Sequence, residues 1–203
     1  MPDFHRVFVN DDNFIRGAAR LMWAAITQAF PTEISQIVNI STYEPMSGWN
    51  DLGATKSGVQ ITVNNTEETF DVDQIAGDIA SEATAWEVTV GTQLAEMTLA
   101  RLQLAWEGGT ITTNTAPIGP DETNMGIGNP TSYTQRRIAV LHQRPNGKIR
   151  AYIFRKAQRT PQESPINFSK TGEQQSIPVR FRCLADISVA NQKDRIAMIY
   201  DQV

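Results

Sequence analysis

Apolar and polar residues alternate along 59–64, with Val59, Ile61 and Val63 set against Gln60, Thr62 and Asn64. After the polar stretch Asn65-Thr66-Glu67 the alternation resumes, Phe70 and Val72 against Thr69, Asp71 and Asp73. A period of two in β-branched and aromatic residues predicts a half-buried strand pair closed by a turn at 65–67. One face of that hairpin is apolar. The other carries Thr62, Asn64, Thr69, Asp71 and Asp73 and is polar to acidic. Over 92–107 the period becomes helical: Leu94, Met97, Leu99, Leu102, Ala105 and Trp106 form a broad stripe, with Thr92 placed to cap its start and Gly108-Gly109 to end it. Such a helix must lie against a sheet, and its Trp and Met read as packing residues.

The last third predicts strands again. Residues 136–143 and 148–156 flank Pro145-Asn146-Gly147, a hairpin turn because Asn-Gly accepts positive φ. Ile138, Val140, Leu141, Ile149, Ile153 and Phe154 place apolar side chains on both faces, as central strands do. Residues 176–187 alternate Val179, Phe181, Cys183 and Ala185 with Arg180, Arg182 and Asp186, and Ile196, Met198 and Tyr200 predict a final short strand.

Two stretches resist the pattern. The block 1–31 contains an Ala-rich run, 14–26, helical by propensity but interrupted by Gly17 and without a helical stripe, so its conformation stays open, an arm among the readings. Thr32 then has the position of an N-cap for a short helix through Ile34, Ile37 and Val38. Residues 108–134 are rich in Gly, Pro, Asn and Thr without periodicity, which fits either an interaction loop that orders against a neighbour or a mobile insertion. The sum is a single mainly β domain over 1–203, a β-sandwich or partly closed barrel with one flanking α-helix.

Composition narrows what such a domain does. At 203 residues, 40% hydrophobic and 20% charged, the chain belongs to neither the disordered nor the membrane-spanning class. The first six residues, Met1 to Arg6, lack the basic segment and apolar block of a signal peptide. One cysteine, Cys183, excludes an internal disulfide, and with only His5 and His142 beside it zinc chemistry has little to draw on. The net charge of −4 conceals a split, −10 over residues 1–100 and +6 over 101–203. That segregation marks a nucleic-acid surface or an interface between opposite signs, or else charges that intermix on one folded body.

Candidate chemistry is sparse. Gly126-Ile127-Gly128 runs into Asn129-Pro130 rather than a helix start, so no phosphate loop is formed. Cys183 lies between Phe181 and Ala185 in a strand pattern and reads as a small packed hydrophobe. His142 reads as a structural strand residue. Asp71 and Asp73 share a strand face roughly 6.5–7 Å apart, a pair that suits a hard cation or acid–base work but has no third ligand nearby. A solvated acidic face is the simpler account. Arg136, Arg137, Arg144, Lys148, Arg150, Arg155, Lys156 and Arg159, with Tyr152 and Phe154 between them, are a thin basis for a single-strand nucleic-acid platform. What remains is a β body whose strand edges invite pairing with another chain.

The run Gly48-Trp49-Asn50-Asp51-Leu52-Gly53-Ala54-Thr55-Lys56-Ser57-Gly58-Val59 resembles the sequence before the first hairpin in major tail tube proteins of long-tailed bacteriophages. Glu68-Thr69-Phe70-Asp71-Val72-Asp73-Gln74, Trp86-Glu87-Val88 and Leu94-Ala95-Glu96-Met97-Thr98-Leu99 are similar too, and the order hairpin, helix, loop, terminal strands matches. The resemblance implies a ring-forming sandwich, usually of six subunits, stacked into a hollow tube through which the genome leaves the capsid, as in related contractile injection machines. It implies a virion protein without catalytic residues, metal or cofactor, made in the host cytoplasm. Its partners would be copies of itself, the tape measure, terminator and baseplate proteins, a sheath in contractile tails, and double-stranded DNA in passage, with no membrane involved. Thr62, Asn64, Thr69, Asp71 and Asp73 are then candidates to line the channel. Duplex DNA carries about one negative charge per 1.7 Å, so an acidic wall lets it slide where a cationic one would hold it. Thr112, Asn114, Asp121, Glu122, Asn124 and Asn129 of the 108–134 loop, with the segment before Gly17, are candidates for contacts between subunits and rings. A terminator or baseplate ring component, and a metal-dependent hydrolase using Asp71 and Asp73, are the alternatives.

Overall fold

Leu21, Met22 and Ala24 lie in the middle of a sheet, at most 1% exposed, within the block whose conformation the sequence leaves open. The computed structural model describes residues 17–72, 75–115, 119–128, 130–160, 164–166 and 175–203, with backbone alone at 71, 72 and 75–79. Among these residues the elements are β1 (Ala19–Ala25), β2 (Trp49–Asp51), β3 (Thr55–Val72), β4 (Ile75–Leu94), α1 (Leu99–Trp106), β5 (Ile111–Asn114), β6 (Glu122–Met125), β7 (Arg136–Gln143), β8 (Ile149–Arg159), β9 (Ile177–Leu184) and β10 (Ala197–Asp201). The fold is mainly β with one α-helix, as the patterning predicts.

One antiparallel sheet runs β2-β1-β7-β8-β9-β4-β3, with β10 also paired to β8. Its central strands are apolar on both faces because both faces are covered. On one side Leu21, Ile138, Val140 and Phe154 join Val90, Leu94, Val179, Phe181 and Cys183, closed by Leu104 and Ala105 of α1. On the other side Met22, Ala24, Ala139, Leu141, Ile149, Ala151 and Ile153 are covered by Ile34, Ile37, Val38 and Trp49. Each large side chain buried in this way contributes roughly 1.5–3 kcal/mol. The block 1–31 is therefore no arm over its second half: β1 is a core strand whose two buried faces erase the alternation that would announce it.

Four further expectations are corrected. Residues 65–67 do not turn; they continue β3, so the predicted strand 59–64 and the described part of the second, 69–72, belong to one strand of 18 residues. Its partner β4, 20 residues long, occupies 75–94. The helix accordingly starts later than Thr92. Thr92 pairs with Val179 and Leu94 with Ile177 inside the sheet, and the Thr92 hydroxyl donates to the Gly58 carbonyl at 2.7 Å. Thr98 is the N-cap, its side chain accepting from the Arg101 N–H, and the helix closes on Glu107 in the left-handed conformation (φ 52°). Backbone pairing on both edges of 92–94 outweighs a local helical period. The short helix expected after Thr32 is a single 3-10 turn, Ile34–Gln36, entered through Glu33. Finally, 108–134 is not structureless: β5 and β6 pair as a hairpin from Ile111↔Met125 to Asn114↔Glu122. It is seated on the end of α1, where Gly109 N–H donates to the Gly126 carbonyl at 2.8 Å and a Cβ at Gly108 would displace the Met125 thioether.

The turn at 145–147 forms as predicted, with Gly147 at φ 81° and Asn146 Oδ1 accepting from Lys148 N–H at 3.0 Å. Beyond it β8 carries a bulge, since Phe154 faces Ile138 but Ala157 faces Arg136. The bulge coincides with a fork. The second edge of β8 pairs with β10 over Arg150–Phe154 and with β9 over Lys156–Arg159. Arg155 sits at the branch, its N–H donating to the Ile196 carbonyl and its guanidinium 3.9 Å from the Phe30 ring centroid.

Candidate assembly surface

Only the first part of the β3–β4 hairpin belongs to the body of the sheet. β4 pairs with β9 over Val88–Leu94, whereas its pairing with β3 continues to Val72↔Ile75. From Asn64↔Glu87 outward the two strands have no third strand among the described residues, and residues 62–70 and 80–87 are exposed throughout. At about 3.3 Å per residue this free ribbon extends roughly 25–30 Å. An isolated two-stranded ribbon is marginal in water. This one also exposes Val63 (54%), Phe70 (45%) and Trp86 (59%).

The ribbon is acidic. Residues 64–87 contain Glu67, Glu68, Asp71, Asp73, Asp78, Glu82 and Glu87, and no Lys or Arg occurs between 57 and 100. Glu68 stands directly opposite Glu82, a like-charge pairing that costs stability unless a cation is brought to it. Of the channel candidates, Thr62, Asn64 and Thr69 are exposed on β3. The β3–β4 pairing shifts by one residue at Thr66/Glu67, where Thr84 of β4 is the extra residue; β3 itself skips none, so its alternation puts Thr62 and Asn64 on one face and Thr69 on the other. Asp71 is on β3 by its backbone, and Asp73 lies outside the described residues. At the ribbon's base the Thr62 face continues across Thr89 to Arg182, with Arg180 beside it and Arg182 3.4 Å from Glu87. That face is mixed in charge at its base and acidic only further out.

In the fork between the two halves of the sheet lies an open groove of about 800 Å³. Val88 and Phe154, both buried, form its floor as the end of one core. Ile61, Tyr152, Ile196 and Ala197 line its walls, and Val63, Trp86 and Ile199 (61% exposed) stand at its rim. Lys193 and Arg195 supply positive charge beside it. The Arg195 guanidinium donates to the Val189 carbonyl at 2.8 Å, while Lys193 is exposed and forms no ion pair among the described residues. A groove built from residues 61–63, 86–88, 152–154 and 192–199 is invisible to local patterning, because the fork that assembles it is a tertiary event.

The candidate contact loop is a second projection. Thr112 and Asn114 on β5 and Glu122 and Asn124 on β6 are exposed, with the Thr112 hydroxyl 2.6 Å from Asn124 Oδ1; Asp121 precedes β6. Asn129, like the segment before Gly17, lies outside the described residues. By contrast, most cations of the last third hold the fold together. Arg136 bonds Glu107 at 2.7 Å, Arg137 donates to the carbonyls of Gln28 and Arg155, Arg144 to that of Gln202, and Arg155 to that of Asp194. Arg150 pairs with Asp201 at 2.6 Å and Lys156 with Asp186 at 3.0 Å. These groups form no free basic platform.

Cys183 is buried in β9 and its thiol is pushed up to about 12 by loss of water, which keeps it protonated and unreactive. His142 is buried in β7. Among the described residues no three His, Cys, Asp or Glu side chains come together to hold a metal ion, and no helix is long and apolar enough to cross a membrane. Compared with protein-family models and with curated proteins, the sequence matches none at a significant level.

Proposed function

We propose that this chain is a structural, non-enzymatic subunit that polymerises into the tail tube of a phage-type particle, a conduit for DNA leaving the capsid. The observation that carries the reading is the long end strand. β3 closes the sheet order with 18 residues and an outer edge that no described strand pairs. Edges of this length are templates for another chain unless they are blunted or covered, and a ring of identical subunits covers every such edge with the next copy. The resemblance in 48–59, 68–74, 86–88 and 94–99 supplies the kind of ring: six subunits, stacked, meeting tape measure, terminator, baseplate and, in contractile tails, sheath proteins. A stretch, 64–87, with seven carboxylates and no cation in its sequence suits a wall that DNA passes without being held.

The test is light scattering of the purified protein across concentration and salt, followed by electron microscopy. Stacked rings with a central bore are the expected result. Single rings that never stack assign the chain to a terminator or baseplate role instead. A monomer at every concentration and salt overturns the reading.

A further inference from the structure

Among the described residues, two exposed apolar features are left without cover, the groove at the fork and Phe70 on the ribbon. The groove at the fork is an unfinished core: its floor is Val88 and Phe154, and Trp86, Val63 and Ile199 are left at its rim. The ribbon bears Phe70 on one of its exposed strands. The chain cannot close the groove with its own Phe70. Val63 already belongs to the groove, and Phe70 lies seven residues further along the same strand, about 23 Å away. No described residue of the chain fills the groove, and the charges indicate an occupant. Glu68 faces Glu82 beside Phe70 and lacks a cation in its own ribbon, while Lys193 stands exposed at the groove and pairs with no anion among the described residues.

We infer that the groove lined by Ile61, Trp86, Tyr152, Phe154, Ile196 and Ile199 receives the Phe70 end of the ribbon of a second copy, with Lys193 of one copy set against Glu68 and Glu82 of the next. This rests on the self-assembly reading above and specifies its contact. The contact is heterologous, because ribbon and groove are different surfaces. Each copy therefore offers a ribbon forward and a groove behind, and the chain of contacts closes into a ring or runs on as a filament. It covers Phe70, Trp86, Val63 and Ile199 at once and brings a cation to the like-charge pair.

The experiment mixes two singly substituted full-length chains, Phe70→Cys and Ile199→Cys, under mild oxidation; buried Cys183 does not compete. The expected product is the mixed disulfide dimer, at least ten-fold above either homodimer, with a ladder of covalent multimers from the doubly substituted chain. Lys193→Glu is expected to abolish the cross-link, and Glu68→Lys with Glu82→Lys in the partner to restore it. Assemblies visible by electron microscopy without the mixed disulfide overturn this contact and leave the tube reading standing. The mixed disulfide with short open oligomers, and neither rings nor tubes, supports the contact and overturns the conduit. Slow alkylation of Ile199→Cys in the isolated monomer shows a groove covered by its own chain and overturns the contact, as does a disulfide within one doubly substituted chain.

Discussion

Asp186 shows how one side chain joins two elements. It lies two residues beyond β9, buried, and accepts from the Ser188 hydroxyl at 2.7 Å and from Lys156 at 3.0 Å. Its own N–H donates to the Arg195 carbonyl at 2.8 Å, so it ties the exit of β9 to the entry of β10. The Ser188 hydroxyl first, then Lys156, hold its carboxyl down to about 2. A carboxyl depressed in the folded state stabilises above its ordinary range, and that contribution fades as pH falls through the folded value. The urea midpoint is therefore expected to drop between about pH 4 and pH 2, and Asp186→Asn to flatten that part of the profile. The Arg136–Glu107 pair makes a different demand. Its side chains are 11% and 4% exposed, 2.7 Å apart, with the guanidinium 5.8 Å from the Trp23 ring centroid. Removing one member strands the other in a dry site. Arg136→Ala is expected to lower unfolding free energy by about 3–5 kcal/mol in urea titration, and Arg136→Met with Glu107→Gln to recover most of it.

Among the elements, the β5–β6 hairpin can be separated from the body. Gly109 and Gly126 meet through a backbone hydrogen bond, and a Cβ placed at Gly108 would meet the Met125 side chain. Replacing residues 110–125 by a short turn is expected to leave the far-ultraviolet spectrum and thermal midpoint of the monomer within a few degrees of the parent while stopping stacking of rings; normal tubes from this variant would remove the hairpin from the ring-to-ring contact. The elements also show which patterns are legible. Pro145-Asn146-Gly147 announces its hairpin because the turn is a local backbone requirement. β4 does not announce itself: Ala76, Gly77, Ala80, Ser81, Ala83 and Ala85 have weak strand preference, and the residues at 80–87 are exposed, so pairing with β3 alone accounts for the strand. The same lack of burial explains why Asn65-Thr66-Glu67 looks like a turn. A polar interruption in a half-buried strand normally marks its end, but in a free ribbon both faces are wet.

At the scale of the molecule the fork in β8 decides the architecture. Pairing with β10 over one half and β9 over the other opens the sheet, leaves one core unfinished and places the ribbon's base beside the gap. Ring or tube formation is tested at this scale, because a projecting ribbon and a separate groove give a directional contact that microscopy resolves as closed rings, tubes or open filaments. The split in charge also acquires a meaning here. The cations of the second half mostly staple loops and strand ends, and Glu67, Glu68, Glu82 and Glu87 stay exposed on the ribbon. Period, burial and turn chemistry within a dozen residues suffice for the mainly β class, the 145–147 hairpin, the strands around Val140, Ile153 and Phe181 and a packed helix that stops before Gly108. Only the tertiary structure decided that β1 is a core strand, that 92–94 are sheet and not helix, that the ribbon leaves the body at Val88 and that a groove opens at Arg155. Those outcomes depend on which strands find each other across the chain, and a backbone hydrogen bond made at long range overrides a weak local preference.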